Sequence, residues 1–159
     1  MVVVHLAHGD QDLCVGEHRV GAHGIDVELN ELAEAARSVS TAEVDGGLIL
    51  RRSVSGALIL DDTYNASPAS TLAALDLLAE LPGRRLALLG DMLELGELAE
   101  PSHEEVGRRT VEVVDSLFTV GELAAAIARA AAEAGLSVAS HHATKEQAAA
   151  ALIGALRPG

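Results

Sequence analysis

The stretch ALILDDTYNASPASTLAALDLLAELPGRRLALLGD, residues 57–91, decides the fold. Its apolar start, ALIL, reads as a short strand that stops at a run of polar residues. A helix follows from about Pro68, because proline suits a first helical turn, where its missing N–H would be unpaired in any case. That helix ends at LPG, residues 81–83, and RRLALLG, 84–90, reads as a second strand.

Downstream the alternation continues. PSHEEVGRRTVEVVD, 101–115, reads as a helix opened by Ser102 and Glu105 at capping-box spacing. SLFTV, 116–120, is a strand, ELAAAIARAAAEAG a helix, and LSVAS, 136–140, a further strand. Thr144 and Gln147, again at capping-box spacing, open the last helix, TKEQAAAALIGAL. Short strands alternating with helices of ten or more residues imply a Rossmann-like α/β domain, a parallel sheet with flanking helices. After the last helix comes Arg157-Pro158-Gly159 without another strand. A missing last strand, and with it an unpaired sheet edge or gap open to self-association, is therefore expected.

Upstream the pattern changes. LILRR and GALILDD read as adjacent strands joined across Ser53 to Gly56. VVVHLA and DLCVG flank the turn-prone HGDQ and predict a short hairpin. Asp26 can cap a helix over DVELNELAEAAR, whose Leu29, Leu32, Ala33 and Ala36 recur at helical spacing.

The charge excludes several functions. With 11 Lys+Arg against 24 Asp+Glu, the net charge is 11 − 24 = −13. Such a surface repels phosphate backbones and anionic lipid, so neither nucleic acid nor membrane is expected as a partner. Tyr64 and Phe118 are the two aromatic residues, too few for base stacking. The single Cys14 permits no intrachain disulfide and fits a reducing cytoplasm. The start of the chain lacks the pattern of a secretion signal, and no apolar run reaches the length of a spanning helix.

Open parallel sheets bind ligands beyond the carboxyl ends of their strands. Two such ends are dense in polar groups: Asp61-Asp62-Thr63-Tyr64-Asn65-Ala66-Ser67-Pro68 and Gly90-Asp91-Met92-Leu93-Glu94-Leu95-Gly96. Alternation sends Asp61 and Asp62 to opposite faces. Two readings stand side by side: a carboxylate and Ser67 cap a turn and a helix, or Tyr64 packs its ring on a ligand. His5 and His8, three apart on a strand, face opposite sides and make a poor metal pair. His141-His142 read as solvated, and Arg51-Arg52, Arg84-Arg85 and Arg108-Arg109 as surface ion-pairing residues. A receiver-type signalling domain is excluded by the arrangement of Asp91 and of the sole lysine, Lys145.

DDTYNASPASTLAAL and LPGRRLALLGDMLELGELAEPSHEEVG closely resemble the C-terminal domain of the Mur ligases, in the wording of the branch that adds D-alanyl-D-alanine. The resemblance spans roughly Leu48 to Gly159. It implies an ATP-dependent amide ligase acting in peptidoglycan precursor synthesis, with ATP and Mg²⁺ as cofactors and UDP-N-acetylmuramoyl-tripeptide and D-alanyl-D-alanine as substrates. The tripeptide carboxylate would be activated as an acyl phosphate and attacked by the dipeptide's amino group. Carried over by motif, Asp62, Tyr64, Asn65 and Pro68 lie near ATP, and Asp91 and Glu94 belong to a loop facing the substrate cleft. His103 belongs to the same pattern; its alternative is a histidine bonded to neighbouring backbone.

Departures from the family bear on activity. No Gly-Lys-Thr/Ser phosphate loop is present, since Lys145 follows Ala143-Thr144. Asp45-Gly46-Gly47 stands where the family usually reads Pro-Gly-Arg, and Gly16-Glu17-His18-Arg19 only partly matches its Gly-x-His-Asn. Residues 1–46 then read as a remnant of the end of a central ATPase domain, a hairpin plus a helix, and 47–159 as the C-terminal domain, truncated at its end. No complete catalytic set and no metal site are expected in this chain, which should be inactive alone. The alternative is a decayed, non-catalytic binding or oligomerising module.

Overall fold

The computed structural model describes residues 2–5, 49–52, 58–61 and 66–156. Among these residues six strands form one sheet: β1 (Val2–His5), β2 (Ile49–Arg52), β3 (Leu58–Asp61), β4 (Leu86–Leu89), β5 (Ser116–Val120) and β6 (Ala139–His142). The order is β2-β3-β1-β4-β5-β6. Strand β2 runs antiparallel to β3, as the short connection across 53–57 requires, and every other pair is parallel.

Among the described residues four helices connect and cover the strands: α1 (Pro68–Glu80), α2 (Ala99–Val113), α3 (Ala125–Glu133) and α4 (Lys145–Ala155). Alternation along the strands divides the core. Leu60, Ala87, Leu89 and Leu117 pack with Leu75 and Leu78 of α1, Val106 of α2 and Ile127 of α3. On the opposite face Ile59, Leu86, Leu88, Phe118 and Val120 pack with Ala148 and Leu152 of α4. Both faces of β4 and β5 are thus buried, which explains their unbroken apolar runs.

Local chemistry sets the helix starts. Ser67 caps α1, its hydroxyl accepting from the Ser70 amide while the Ser70 hydroxyl accepts from the Ser67 amide, and Pro68 takes the first helical position. Thr144 caps α4 by accepting from the Gln147 amide. Helix α2 differs from the sequence expectation. A 3₁₀ turn, Gly96–Leu98, runs directly into it at Ala99, so Ser102 stands inside the first turn and caps nothing. Strand β6 also lies further along than LSVAS.

The larger difference concerns β1. Consecutive strands β3 and β4 are not neighbours, because α1 carries the chain past one position in the sheet, and Val2–His5 fills it. Val3 stands in register with Leu60 on one side and Ala87 on the other. Both edges of β1 are thus paired, and DLCVG, the expected hairpin partner, lies outside the described residues. The helix expected over 26–37 lies outside the described residues.

Candidate functional site

The carboxyl ends of β4 and β5 meet the start of α2 and of α3 around one loop, residues 90–95, and three anchors hold it. Met92 is fully buried, and its backbone amide donates to Nε2 of His103 at 3.0 Å. The second ring nitrogen, Nδ1, lies 2.6 Å from the Ala99 carbonyl oxygen, so the buried ring ties the loop to the first turn of α2. At the start of the loop, Oδ1 of Asp91 accepts from the Ala124 amide at 2.7 Å, which stitches the end of β4 to the entrance of α3. The Thr71 hydroxyl of α1 stands 3.7 Å from the Met92 sulfur.

Gly121 makes the Asp91 contact sterically feasible. It sits at φ +112°, and a Cβ there would lie 2.3 Å from the Asp91 carboxylate. Only glycine offers both that backbone region and that closeness. Sequence reading passed over this residue, although a lone glycine directly after SLFTV was its signal.

Between the anchors the loop projects outward. Glu94 is exposed with φ 63°, the one non-glycine residue at positive φ among the described residues, and Leu93 beside it is 47% exposed. Holding a glutamate in the left-handed region costs about 1–2 kcal/mol, and such strain concentrates where a loop serves a ligand.

Charged side chains join α2 to α3. Arg129 reaches Glu100 and Glu104 at 2.9 Å each. Its hydrogen bond holds the Glu104 carboxyl below the usual carboxylate range, against a smaller opposing effect of desolvation. Arg129 itself is raised, first by Glu100 and then by Glu104.

Of the residues singled out from sequence, Asp91, Glu94 and His103 come together here. Pro68 begins α1 at the carboxyl end of β3, and Asp62, Tyr64 and Asn65 lie outside the described residues. The arginine pairs divide in function. Arg109 pairs with Asp76 at 2.8 Å, whereas Arg84 donates to the Ala155 carbonyl at 2.8 Å and Arg85 to that of Ala79 at 2.9 Å. Those two bonds satisfy orphan carbonyls at helix C-termini, where cations are favoured. His141 is exposed and His142 half-buried; His141 bonds Thr119 at 3.0 Å, and His142 bonds Ser140 and stacks on Phe118.

Among the described residues no three His, Cys, Asp or Glu side chains stand close enough to hold a metal ion. The α1 N-terminus likewise satisfies its Ser70 amide internally. Among the same residues no helix is long and apolar enough to cross a membrane.

Residues 48–159 match the family model described as Mur ligase, glutamate ligase domain. The UDP-N-acetylmuramoyl-tripeptide–D-alanyl-D-alanine ligase of Bacillus subtilis is 43% identical over 102 residues, 62% of this chain and 22% of the relative. The ligase of the same name from Escherichia coli is 37% identical over 125 residues, 69% of this chain and 27% of the relative. The crystal structure of a MurF ligase from Thermotoga maritima in complex with ADP superposes with a TM-score of 0.61 at 31% identity, covering 76% of this chain and 27% of that one. The chain thus spans about a quarter of the length of the relatives it matches.

Proposed function

From the premise that this chain belongs to the Mur ligase family, we propose that it supplies the C-terminal domain of an ATP-dependent amide ligase that joins D-alanyl-D-alanine to UDP-N-acetylmuramoyl-tripeptide in the cytoplasm. Residues 47–159 make that domain, with Val2–His5 contributing a strand to its sheet. The names of the B. subtilis and E. coli relatives support the substrate pair, and the ADP complex of the T. maritima structure supports the nucleotide.

The observation that carries the reading is the anchored loop at the end of β4. Asp91 and His103 are occupied in holding it, so their role is positioning. Glu94, held outward on that rigid base, is the carboxylate available to meet the ammonium group of an incoming dipeptide. Asp62, Tyr64, Asn65 and Pro68 are proposed to lie beside ATP. In the reaction the tripeptide carboxylate takes the γ-phosphoryl group, releasing ADP. The dipeptide amine then attacks the acyl carbon, phosphate leaves with the C–O bond pair, and the amine loses its proton. ATP and Mg²⁺ must be positioned mainly by polypeptide beyond this chain, because its sequence holds no Gly-Lys-Thr/Ser loop.

The test is a chimera in which this whole chain, residues 1–159, replaces the matching C-terminal segment of the B. subtilis ligase, so that Val2–His5 stays with its sheet. Formation of the pentapeptide product is expected, and Glu94→Gln should raise KM for D-alanyl-D-alanine at least about tenfold while leaving KM for ATP unchanged. A folded chimera that binds ATP and makes no product overturns the assignment.

A further inference from the structure

We infer that Thr71 is a positioning residue whose hydroxyl links the start of α1 to the loop at the end of β4. The segment assigned to ATP and the loop assigned to the dipeptide then respond to each other, a consequence that rests on the ligase assignment. Three observations carry the link. Thr71 and Met92 are 1% and 0% exposed, so their contact at 3.7 Å lies away from water. The hydroxyl has one proton and two acceptors within reach, the Ser67 carbonyl at 2.8 Å and the Met92 sulfur. The Ser67 carbonyl can release that proton, because it also accepts from the Thr71 amide at 2.9 Å and from the Ser70 hydroxyl at 3.1 Å. Met92 is in addition held through its amide by His103 at 3.0 Å, and Glu94 lies just beyond it.

A proton divided in this way makes two motifs compete for one donor. When the hydroxyl turns to the sulfur, the Met92 side chain is tied to α1; when it turns to the carbonyl, the loop is held by His103 and Asp91. A rearrangement just before Pro68 that shifts the Ser67 carbonyl alters that balance, and such a difference between two states is what coupling requires. Sulfur is a weak acceptor, so the effect is of a few-fold size. A threonine with a purely structural part would only close the first turn of α1 on the carbonyl four residues back, and the loop would not respond to it.

The experiment measures amide hydrogen exchange over residues 90–96 of the full chain. It compares Thr71→Val, which keeps the shape and removes the hydroxyl, Thr71→Ser, which keeps the hydroxyl, and Met92→Leu, which removes the sulfur at nearly constant volume. Thr71→Val and Met92→Leu should each speed exchange about threefold, the double variant should speed it no further, and Thr71→Ser should keep the wild-type rate. An unchanged rate in Thr71→Val, or multiplying effects in the double variant, overturns the link. If Thr71→Val does not fold, Met92→Leu and Thr71→Ser decide: a rise in the first alone supports the link, and no rise in the first or an equal rise in both overturns it. In the B. subtilis chimera, Thr71→Val should raise KM for D-alanyl-D-alanine about threefold with kcat unchanged, and Thr71→Ser should restore it. An active chimera whose KM does not move overturns the positioning role. A folded chimera that binds ATP and makes no product overturns the ligase assignment instead, and exchange then decides the link by itself.

Discussion

Met92 and His103 are joined across eleven residues by a backbone-to-ring hydrogen bond of 3.0 Å, and the bond fixes the state of the ring. An amide can only donate, so Nε2 must be unprotonated; the Ala99 carbonyl can only accept, so Nδ1 carries the proton. The ring is the neutral Nδ1–H tautomer, wholly buried, and a β4 loop that would otherwise leave its Met92 amide unpaired is satisfied by a helix from the same motif.

His103→Ala should therefore cost about 2–4 kcal/mol, combining a cavity with an orphaned buried amide. Urea unfolding measures it, and ¹⁵N spectra of the ring should show Nε2 as the unprotonated nitrogen. A loss below about 1 kcal/mol, or the opposite tautomer, contradicts this account of the anchor.

How much of this was legible in the sequence depends on range. The β3-to-β4 unit and the caps at Ser67 and Thr144 could be read because their determinants are local: an apolar run, a proline, a hydroxyl three residues before an amide. The start of α2 could not, since the 3₁₀ turn at Gly96–Leu98 competes with Ser102 for the same function. Val2–His5 shows the limit most clearly. An apolar run states that a strand is wanted but not which edge it meets, and its partners, β3 and β4, lie far along the chain. In the site, the motif pointed to Asp91, yet its bond to Ala124 spans thirty-three residues and depends on a glycine that periodicity does not flag.

That dependence is testable as a coupling. Gly121→Ala places a Cβ 2.3 Å from the Asp91 carboxylate at φ +112°, and should cost about 3 kcal/mol or more. Asp91→Ala alone should cost about 1 kcal/mol for the lost bond to Ala124. The double variant should lose at least about 1 kcal/mol less than the sum, because removing the carboxylate clears the path of the new methyl. Strict additivity in denaturant titrations would show that the two residues do not constrain each other.

Two helical glycines should respond with opposite sign. Alanine is favoured over glycine inside a helix by about 1 kcal/mol. At Gly107 of α2 the added Cβ would stand 2.4 Å from the Ile127 carbonyl oxygen and 2.9 Å from the Ala130 Cβ, so α2 and α3 must part. Overpacking of this kind costs about 1–3 kcal/mol, and because backbone is the obstacle the upper half applies. Gly107→Ala should be net destabilising. Gly154 of α4 meets nothing within 4 Å, and Gly154→Ala should raise the melting temperature. A stabilised Gly107→Ala would mean the helices are not closely packed there.

The Arg129 bridge between α2 and α3 should appear as a pH dependence of definite sign. The hydrogen bond from Arg129, followed by its charge and that of Arg108, holds Glu104 below the ordinary carboxylate value. A carboxyl whose folded value is depressed stabilises the fold above its unfolded value, and that contribution disappears as pH falls through the folded one. Arg129→Gln should therefore move the Glu104 titration upward in carboxyl NMR spectra and flatten the acid side of the stability profile. The difference between the two proteins should be small at neutral pH, smaller still in 1 M salt, and absent once Glu104 is protonated in both, because the pair is exposed to solvent. An unmoved Glu104 titration would show that the Arg129–Glu104 bridge does not persist in solution.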